Sequence, residues 1–461
     1  MRAMRPKTQL SLAFDTVEKG EACRDGIEGT EARAATTLPK SPASATGLME
    51  EVCERENLQQ ALRRVRANKG GPGVDGMTVD ELPGHLKTHW PTIRTQLLDG
   101  TYTPQPVKRV EIPKPGGGTR ALGVPTVLDR FIQQAVLQVL QRDWDPSFSP
   151  HSYGFRPRRS AQQAVTQAQA YIADGNRWVV DLDLEKFFDR VNHDQLMGDV
   201  ARRVADGRLR RLIRACLNAG VMAHGLVSPT DEGTPQGGPL SPLLSNLVLD
   251  ALDRELTQRG HRFVRYADDC NIYVRSRRAG LRVMISVTHF ITTRLQLKVN
   301  EAKSAVARPA ERKFLGFSFT AGRQPRRRIA PQALTRCKAR VRRLTRRTRG
   351  VSLPQMVEEL ATYLTGWRGY FGHCETPSVL QALDSWIHRR LRCVVWKQWK
   401  RGPRRYAELR RLSVGRDLAA KTAGSPHGPW RLSRSPALSY ALPKAFFASL
   451  GLPRLAPPSM T

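Results

Sequence analysis

The sequence has few acidic residues, no long apolar run and no closely paired cysteines. Only 41 Asp and Glu accompany 75 Lys and Arg among 461 residues, so the formal net charge is +34 at pH 7. This imbalance argues against an enzyme of neutral small molecules and favours a polyanionic partner, with nucleic acid as the default. A membrane-surface role is the rival explanation, but the sequence offers neither a long apolar run nor an amphipathic N-terminal anchor.

The cysteines argue against two kinds of structural site. There are seven, scattered along the chain, and no two have the Cys-x-x-Cys spacing. We therefore expect neither a zinc ribbon nor a disulfide framework. No apolar core follows the basic N-terminal residues, so no signal peptide is expected and a reducing cytoplasm is the predicted compartment.

The N-terminal part of the chain contains a polar segment, a helix and a basic hairpin. Residues 1–48 are expected to form a flexible extension, and helical spacing predicts a helix over 49–67 before the Gly-rich loop 68–76. The pattern over 107–125 predicts two strands around a Gly turn, with Lys114 and Arg120 on opposite arms. Such a pair could clamp a triphosphate, and a hairpin with solvated charges is the alternative.

A second hairpin carries the most distinctive acidic residues. Strand-like flanks rich in β-branched and aromatic residues surround Asp268 and Asp269, which fall at the turn. Ordinary turn chemistry is one explanation, because Asp tolerates turn geometry. Adjacent carboxylates repel unless a cation lies between them, so a third carboxylate nearby would make a divalent-metal site for phosphoryl transfer.

The third carboxylate is predicted to come from another strand. Residues 177–183 are predicted to form a strand, and the following residues, 184–191, are expected to turn into helix. Asp181 and Asp183 point to one face of that strand, and we favour Asp183 because it is nearer the strand end. The alternative is that Asp183 only caps the helix. Phe188 would lie beside whatever the metal ions bind.

Further elements surround these motifs. Helices are predicted over 127–142, 161–174, 206–219 and 281–295, and a strand over 313–319. A Gly/Pro-dense loop at 233–242 leads into an apolar helix through Leu252 and would hold the Gln236 amide against a ligand or a template strand.

The C-terminal third is strongly basic. Residues 326–349 contain no acid, and apolar residues interleave with the cations, which favours basic helices that lie on phosphates. Aromatic residues stand between cations further on, a combination that suits RNA. The alternatives are a solvated face or a disordered tail for the basic run, and a helical core with a basic rim for the aromatic segment. The candidate RNA-binding residues are Arg336, Arg340, Arg343, Arg347, Trp367, Arg368 and Arg389.

Several of these motifs together resemble the reverse transcriptases, in the order of that family's motifs. They are the segment Asp183–Phe188, the loop Pro235-Gln236-Gly237, the turn Tyr266-Ala267-Asp268-Asp269, Lys303, and Phe314-Leu315-Gly316-Phe317. The Gly-rich residues 70–76 and Ser152-Tyr153-Gly154-Phe155-Arg156-Pro157 resemble the bacterial group II intron branch. The match covers about residues 50 to 320, and its motifs keep both order and spacing.

The resemblance implies an α+β chain with a right-hand polymerase fold. Fingers and an antiparallel palm sheet would occupy 49–322, an α-helical thumb or maturase domain 323–404, and a short DNA-binding region 405–461. The paired cysteines of the family's optional HNH nuclease domain are missing, so we expect no second-strand cleavage and a primer from another source.

The resemblance also implies roles for single residues. Asp183, Asp268 and Asp269 would be catalytic and, with Leu184, would hold two Mg²⁺ ions. The nucleotide site would include Leu184 and Lys303, with Lys303 helping to protonate the leaving pyrophosphate. Lys114 and Arg120 would contact the incoming nucleotide, Gln236 would line its pocket, and Phe188 would reject a 2′-hydroxyl.

The implied function is an intron-encoded RNA-directed DNA polymerase. It would copy intron RNA into DNA during retrohoming and bind the same RNA to assist splicing. Its partners would be group II intron RNA, target DNA, a primer and deoxynucleotides, with no membrane, in a nucleoid-associated ribonucleoprotein. The alternatives are a maturase with an inert polymerase site, another bacterial reverse transcriptase, or an RNA-dependent RNA polymerase.

Overall fold

The computed structural model of the chain describes residues 47–113, 118–223, 226–228, 233 and 237–456, and the side chains of 120, 223 and 226–228 are outside the description. The predicted extension 1–48 therefore lies almost wholly outside the described residues, and so do Lys114 and Gln236.

Helices and strands alternate in the first two thirds of the chain, and helices dominate the last third. The helices are α1 Leu48–Val52, α2 Arg55–Ala67, α3 Leu82–Asp99, α4 Val127–Trp144, α5 Ala161–Ala173, α6 His193–Ala201, α7 Gly207–Asn218, α8 Ser241–Gln258, α9 Arg277–Arg294, α10 Pro331–Leu344, α11 Leu353–Phe371, α12 Pro377–Gln398, α13 Gly402–Arg411, α14 Arg416–Ala423, α15 Pro429–Leu432, α16 Pro436–Ala441 and α17 Lys444–Ser449. The strands are β1 Val107–Pro113, β2 Thr119–Val124, β3 Trp178–Leu182, β4 Val221–Ala223, β5 Leu226–Ser228, β6 Arg262–Tyr266, β7 Asp269–Val274, β8 Ala305–Ala307, β9 Phe317–Phe319 and β10 Arg327–Ile329. The predicted α+β class with a helical C-terminal region is confirmed.

The strands form three sheets. One has the order β2-β1-β4-β5, with β1 antiparallel to β2 and parallel to β4. A second has the order β6-β7-β3-β8, and a third pairs β10 with β9. The second sheet places β7, which follows the Asp268 turn, directly beside β3, which leads to Asp183.

The strands of the sheet β6-β7-β3-β8 carry fully buried apolar side chains. Phe263, Val264, Ile272 and Val180 are fully buried there. Burying an aliphatic or aromatic side chain contributes about 1.5–3 kcal/mol, so a few such residues hold the strands in register. The carboxylates at the strand ends thus stand on a rigid support.

The chain divides into two compact units. Unit 1 contains the described residues up to Ala164 together with Val179–Val306. Unit 2 contains Val165–Trp178 and the described residues from Ala307 onward. Within the described residues, no helix is long and apolar enough to cross a membrane.

Most predicted elements are present, with three differences. The predicted helix 49–67 is two helices that break at Cys53 and Glu54. The predicted strand 313–319 is a strand only from Phe317, because Leu315 and Gly316 have positive φ and turn the chain.

The third difference concerns the segment after Asp183. The predicted helix over 184–191 is wrong, since it contains only a short 3₁₀ turn at Phe187–Asp189, and α6 begins at His193. Leu184 instead pairs with Val299, and Lys186 has a φ of 50°, which interrupts a right-handed helix. Asp183 therefore has no helix to cap.

Candidate active site

The Asp268 hairpin turns within two residues. Tyr266 pairs with Asp269, so Ala267 and Asp268 form the whole loop. Ala267 has a φ of 56°, and Asp268 is not among the residues with positive φ. A positive φ at the first loop position only is the pattern of a type II′ turn, where glycine is usual and another residue is strained. Something must therefore hold this turn in place.

Arg265, the residue before Tyr266, supplies that restraint. Its side chain is 1% exposed and forms a two-pronged ion pair with the fully buried Asp253 of α8, at 2.7 and 2.6 Å. The remaining guanidinium nitrogen donates to Ala267 O at 3.0 Å and to Asn246 Oδ1 at 3.0 Å. Burial alone would lower the pKa of Arg265, but the Asp253 carboxylate outweighs it and the net shift is upward. The charge is thus permanent and fixed in one geometry.

The Tyr153-Gly154 motif packs directly against the same turn. Tyr153 N donates to Arg265 O and Arg265 N donates to His151 O, both at 2.9 Å. Asn246 Nδ2 donates to Gly154 O at 2.9 Å. A Cβ at Gly154 would lie 2.2 Å from Ala267 N, so only glycine fits there.

Asp183 lies just past the end of β3 and is held through its backbone. Its N–H donates to Ser304 Oγ at 3.0 Å, and its carbonyl accepts from Asn300 N at 2.8 Å. Its carboxylate, 28% exposed, accepts from Lys303 Nζ at 3.2 Å. The segment containing Lys303 therefore fixes the position of Asp183 and places a cation beside it.

Leu184 is oriented by the same segment. It pairs with Val299 as an antiparallel bridge whose hydrogen bonds come from the flanking residues, Glu185 N to Lys298 O and Asn300 N to Asp183 O. In such a pair the carbonyl of the central residue points away from the partner strand. The Leu184 carbonyl thus faces away from the Lys303 segment.

A side-chain contact between β3 and β7 brings the two groups of carboxylates to one surface. The Asn271 amide, with its nitrogen turned toward β3, lies 2.9 Å from Asp181 Oδ1. Asp183 and Asp269 each lie two residues along their strand from that contact and so share its face. Within the described residues, no three Asp, Glu, His or Cys side chains already form a cluster able to hold a metal ion.

Phe188 stands at the edge of this region. It is half-buried on the 3₁₀ turn and packs edge to face on the buried Phe187, with 5.2 Å between ring centroids. Behind it, Gly233 has a φ of 94°, and a Cβ there would come within 2.9 Å of Phe188 O. The Phe188 backbone therefore packs closely against Gly233, which precedes the apolar helix α8.

The other predicted nucleotide contacts lie wholly or partly outside the described residues. Lys114 and Gln236 lie outside the described residues, as does the side chain of Arg120, whose backbone pairs with Ile112 across the β1–β2 hairpin.

The predicted RNA-binding residues all lie in unit 2, with different exposures. Arg336, Arg343, Arg347 and Arg368 are exposed. Arg340 is half-buried over Tyr363 at 5.9 Å, and Arg389 lies over Trp430 at 3.7 Å.

Trp367 requires a correction. It is only 9% exposed and packs on Phe371 with 4.9 Å between centroids, so its ring belongs to the core of unit 2 and is not available for base stacking.

The restraints on the turn were not predicted from the sequence. Asn246 and Asp253 stand seven residues apart, on one face of the apolar helix α8. Polar residues on a buried face need partners, and Arg265, which follows the buried apolar residues Phe263 and Val264 in β6, was the available cation. That combination was the signal that could have revealed the network.

Two family models match the chain. The reverse transcriptase (RNA-dependent DNA polymerase) model matches residues 112–319, and the group II intron, maturase-specific domain matches residues 334–413. Both the hairpin of Asp268 and the end of β3 lie within the first match.

Several known proteins are similar to this chain. Protein YkfC of Escherichia coli is 39% identical over 46% of this chain and 57% of its own length. The group II intron-encoded protein LtrA of Lactococcus lactis is 37% identical over 44% of this chain and 34% of its own length. The chain thus spans less than two thirds of either relative. A solved partial Cas6-RT-Cas1–Cas2 complex is 25% identical, with a TM-score of 0.36 over 56% of this chain and 45% of that one.

The order of the two matched regions, polymerase and then maturase, agrees with the order of the motifs in the sequence. The chain therefore contains a reverse transcriptase domain followed by a group II intron maturase-specific domain.

Proposed function

We propose that the chain is an RNA-directed DNA polymerase that copies intron RNA into DNA and assists the splicing of that RNA. The observation that carries the proposal is the Asp268 hairpin, fixed by the buried Arg265–Asp253 pair beside the strand that delivers Asp183. A rigid turn that presents carboxylates on the same face of the sheet as Asp183 suits phosphoryl transfer, because positioning supplies most of the catalysis in that reaction.

Reverse-transcriptase-domain proteins use divalent metal ions, and the residues here suit Mg²⁺. Asp183, Asp268 and Asp269 offer only oxygen donors, and the Leu184 carbonyl faces away from its partner strand, so the donor set is that of a hard cation. Two Mg²⁺ ions would lower the pKa of the primer 3′-hydroxyl and stabilise the leaving oxygen. The carboxylates would only hold the metal ions in position and balance their charge.

Lys303 would have two successive tasks. With no metal, its ammonium group, 3.2 Å away, partly neutralises Asp183. During synthesis it would be close enough to the carboxylates to donate a proton to the leaving pyrophosphate. Phe188, backed by Phe187, would limit space at the sugar, and Lys114, Arg120 and Gln236 would contact the incoming nucleotide.

The partners and regions follow from the same proposal. The polymerase would occupy 49–322, the RNA-binding thumb 323–404 and a DNA-binding region 405–461, with intron RNA, target DNA, a primer and deoxynucleotides as partners. The protein would work in the cytoplasm, within a nucleoid-associated ribonucleoprotein. The maturase-specific match and the exposed arginines of α10 support the RNA-binding part.

Primer extension on an RNA template with Mg²⁺ and deoxynucleotides tests the proposal. Asp268→Asn and Asp183→Asn should each reduce extension at least about a hundredfold, because each removes a charge aligned with the reacting phosphate. Asp99→Asn, at the exposed end of α3, removes the same charge elsewhere and should change nothing. Unimpaired extension by Asp268→Asn would reject this turn as the catalytic site, and no extension by the wild type would reject the polymerase and leave only RNA binding.

A further inference from the structure

Unit 2 contains a cationic cavity that the polymerase reaction does not use. Its volume is about 260 Å³, and it lies between α10, α12 and α15. Arg342 and Arg347 reach it from the C-terminal end of α10 and the turn beyond, Trp386 and Arg390 from α12, and Trp430 from α15.

The arginines of the cavity are not balanced by an acid. In the described part of the chain, none of Arg342, Arg347 and Arg390 forms an ion pair with a carboxylate. Burial lowers the pKa of Arg390, and the charges of Arg342 and Arg347 lower it further, so the three cations repel one another. A site that gathers like charges without a counter-charge is stabilised by an anionic ligand.

One of the three arginines has a structural task. Arg390 Nε donates to Thr345 Oγ1 at 2.7 Å, and its Nη2 donates to Thr345 O at 3.3 Å, at the carboxyl end of α10. It therefore caps that helix, a favourable place for a cation. Among the residues that the structure describes, Arg342 and Arg347 make no such bonds to the helix end and are the better anion ligands.

Two indoles complete the cavity. Arg342 and Arg390 lie 5.6 and 5.3 Å from the Trp386 ring centroid. Trp430 is 40% exposed, and Arg389 fixes it by stacking at 3.7 Å and donating to its carbonyl at 3.0 Å. Indole beside guanidinium suits a flat aromatic ring attached to an anion.

We propose that this cavity binds one unstacked nucleotide of single-stranded RNA, with the base on the indoles and its phosphate on Arg342 and Arg347. The inference rests on the proposed RNA-binding function and gives it a location. RNA is favoured over DNA because most of α10 and all of α12 fall within the maturase-specific match. A cavity of this size admits a base and a phosphate but not a duplex.

The test uses the full chain and a short labelled single-stranded oligoribonucleotide containing 4-thiouridine, without Mg²⁺ or deoxynucleotides. The double variant Arg342→Gln/Arg347→Gln should lower affinity about tenfold more than Arg343→Gln/Arg346→Gln, since it removes both cations that hold the phosphate in the cavity. The second pair is the matched control: it removes the same charge from the same stretch, at exposed residues outside the cavity. Photo-adducts should map to the peptides of Trp386 or Trp430.

A second variant and two further oligonucleotides serve as controls. Trp430→Leu changes an exposed ring, so the fold should persist while the adduct yield falls severalfold. An oligoribonucleotide abasic at the reactive position should bind the wild type and Trp430→Leu alike, because it lacks the base that stacks on the indole. Equal losses of affinity in both double variants, adducts confined to other peptides, or equally tight cavity binding of single-stranded DNA would each overturn the proposal.

The outcome is separable from that of the polymerase. Asp183→Asn, which should stop synthesis, should keep the cavity adducts. The cavity variants should still extend a preformed template–primer at saturating protein concentration. Failure of RNA binding in the wild type would reject the RNA-binding function itself, whereas wild-type binding unaffected by the cavity variants would reject only this site.

Discussion

Arginine side chains are placed in opposite ways in the two units. Arg265 of unit 1 is 1% exposed, is paired with Asp253 and donates every prong of its guanidinium to a fixed acceptor. The arginines of α10 in unit 2 have, within the described residues, no carboxylate partner, and several of them are exposed.

The difference shows that the guanidinium charge serves two purposes in this protein. A guanidinium that is fully satisfied inside the protein adds nothing to ligand attraction but fixes the backbone around it. A guanidinium left without an acid keeps its full attraction for phosphate and tolerates movement. Removing a charge from unit 1 should therefore alter folding and catalytic geometry, whereas removing one from unit 2 should alter affinity and its salt dependence.

The largest effect is expected from Asp253→Asn. It leaves Arg265 charged and unpaired in the core, which should lower the free energy of unfolding by about 3–5 kcal/mol. Urea unfolding measures this change. Glu255→Gln on the same helix breaks the more exposed pair with Arg259 and should cost about 1 kcal/mol or less. Equal costs for the two variants would contradict the view that Arg265 fixes unit 1 because its ion pair is buried.

A smaller change should separate geometry from stability. Gly154→Ala places a Cβ 2.2 Å from Ala267 N, a backbone atom that must move. Because displacement of a catalytic group by about 1 Å can cost about a hundredfold in rate, kcat for primer extension should fall steeply. Overpacking should cost only about 1–3 kcal/mol, so the protein stays folded.

The control for this variant is Gly84→Ala, where a Cβ meets nothing within 4 Å. It should leave kcat unchanged and, in the helix α3, stability unchanged or slightly higher. A Gly154→Ala protein with wild-type kcat would show that the turn does not need its present position.

How much of the structure could be predicted from the sequence depends on how far apart in the sequence the interacting residues lie. The hairpin of Asp268 was predicted from local runs of β-branched and aromatic residues, the strand before Asp183 was predicted from its own local sequence, and both are confirmed. The helix predicted after Asp183 is wrong because Leu184 pairs with Val299, more than a hundred residues away. Local propensity cannot register such a pairing.

The same limit explains the site residues that were missed or misinterpreted. Arg265 resembles a surface cation until Asp253 is known to lie beside it. Trp367 stands between Gly366 and Arg368 in the sequence, yet its position on α11 turns it inward against Phe371. The roles given to Asp183, Asp268 and Asp269 stay predictions until primer extension tests them.

The smallest effect, and the one that most directly tests the exposed charges, is on salt dependence. Each arginine that is removed leaves one phosphate fewer neutralised, which should reduce the slope of log affinity against log salt by about 0.7–0.9. Arg343 is exposed whereas Arg340 is half-buried over Tyr363, so Arg343→Gln should produce most of the change in intron RNA binding and Arg340→Gln less. Arg278→Gln, exposed on α9 of unit 1, is the control. If neither α10 variant changes the slope more than this control does, the basic face of α10 is a solvated surface and not a phosphate-binding one.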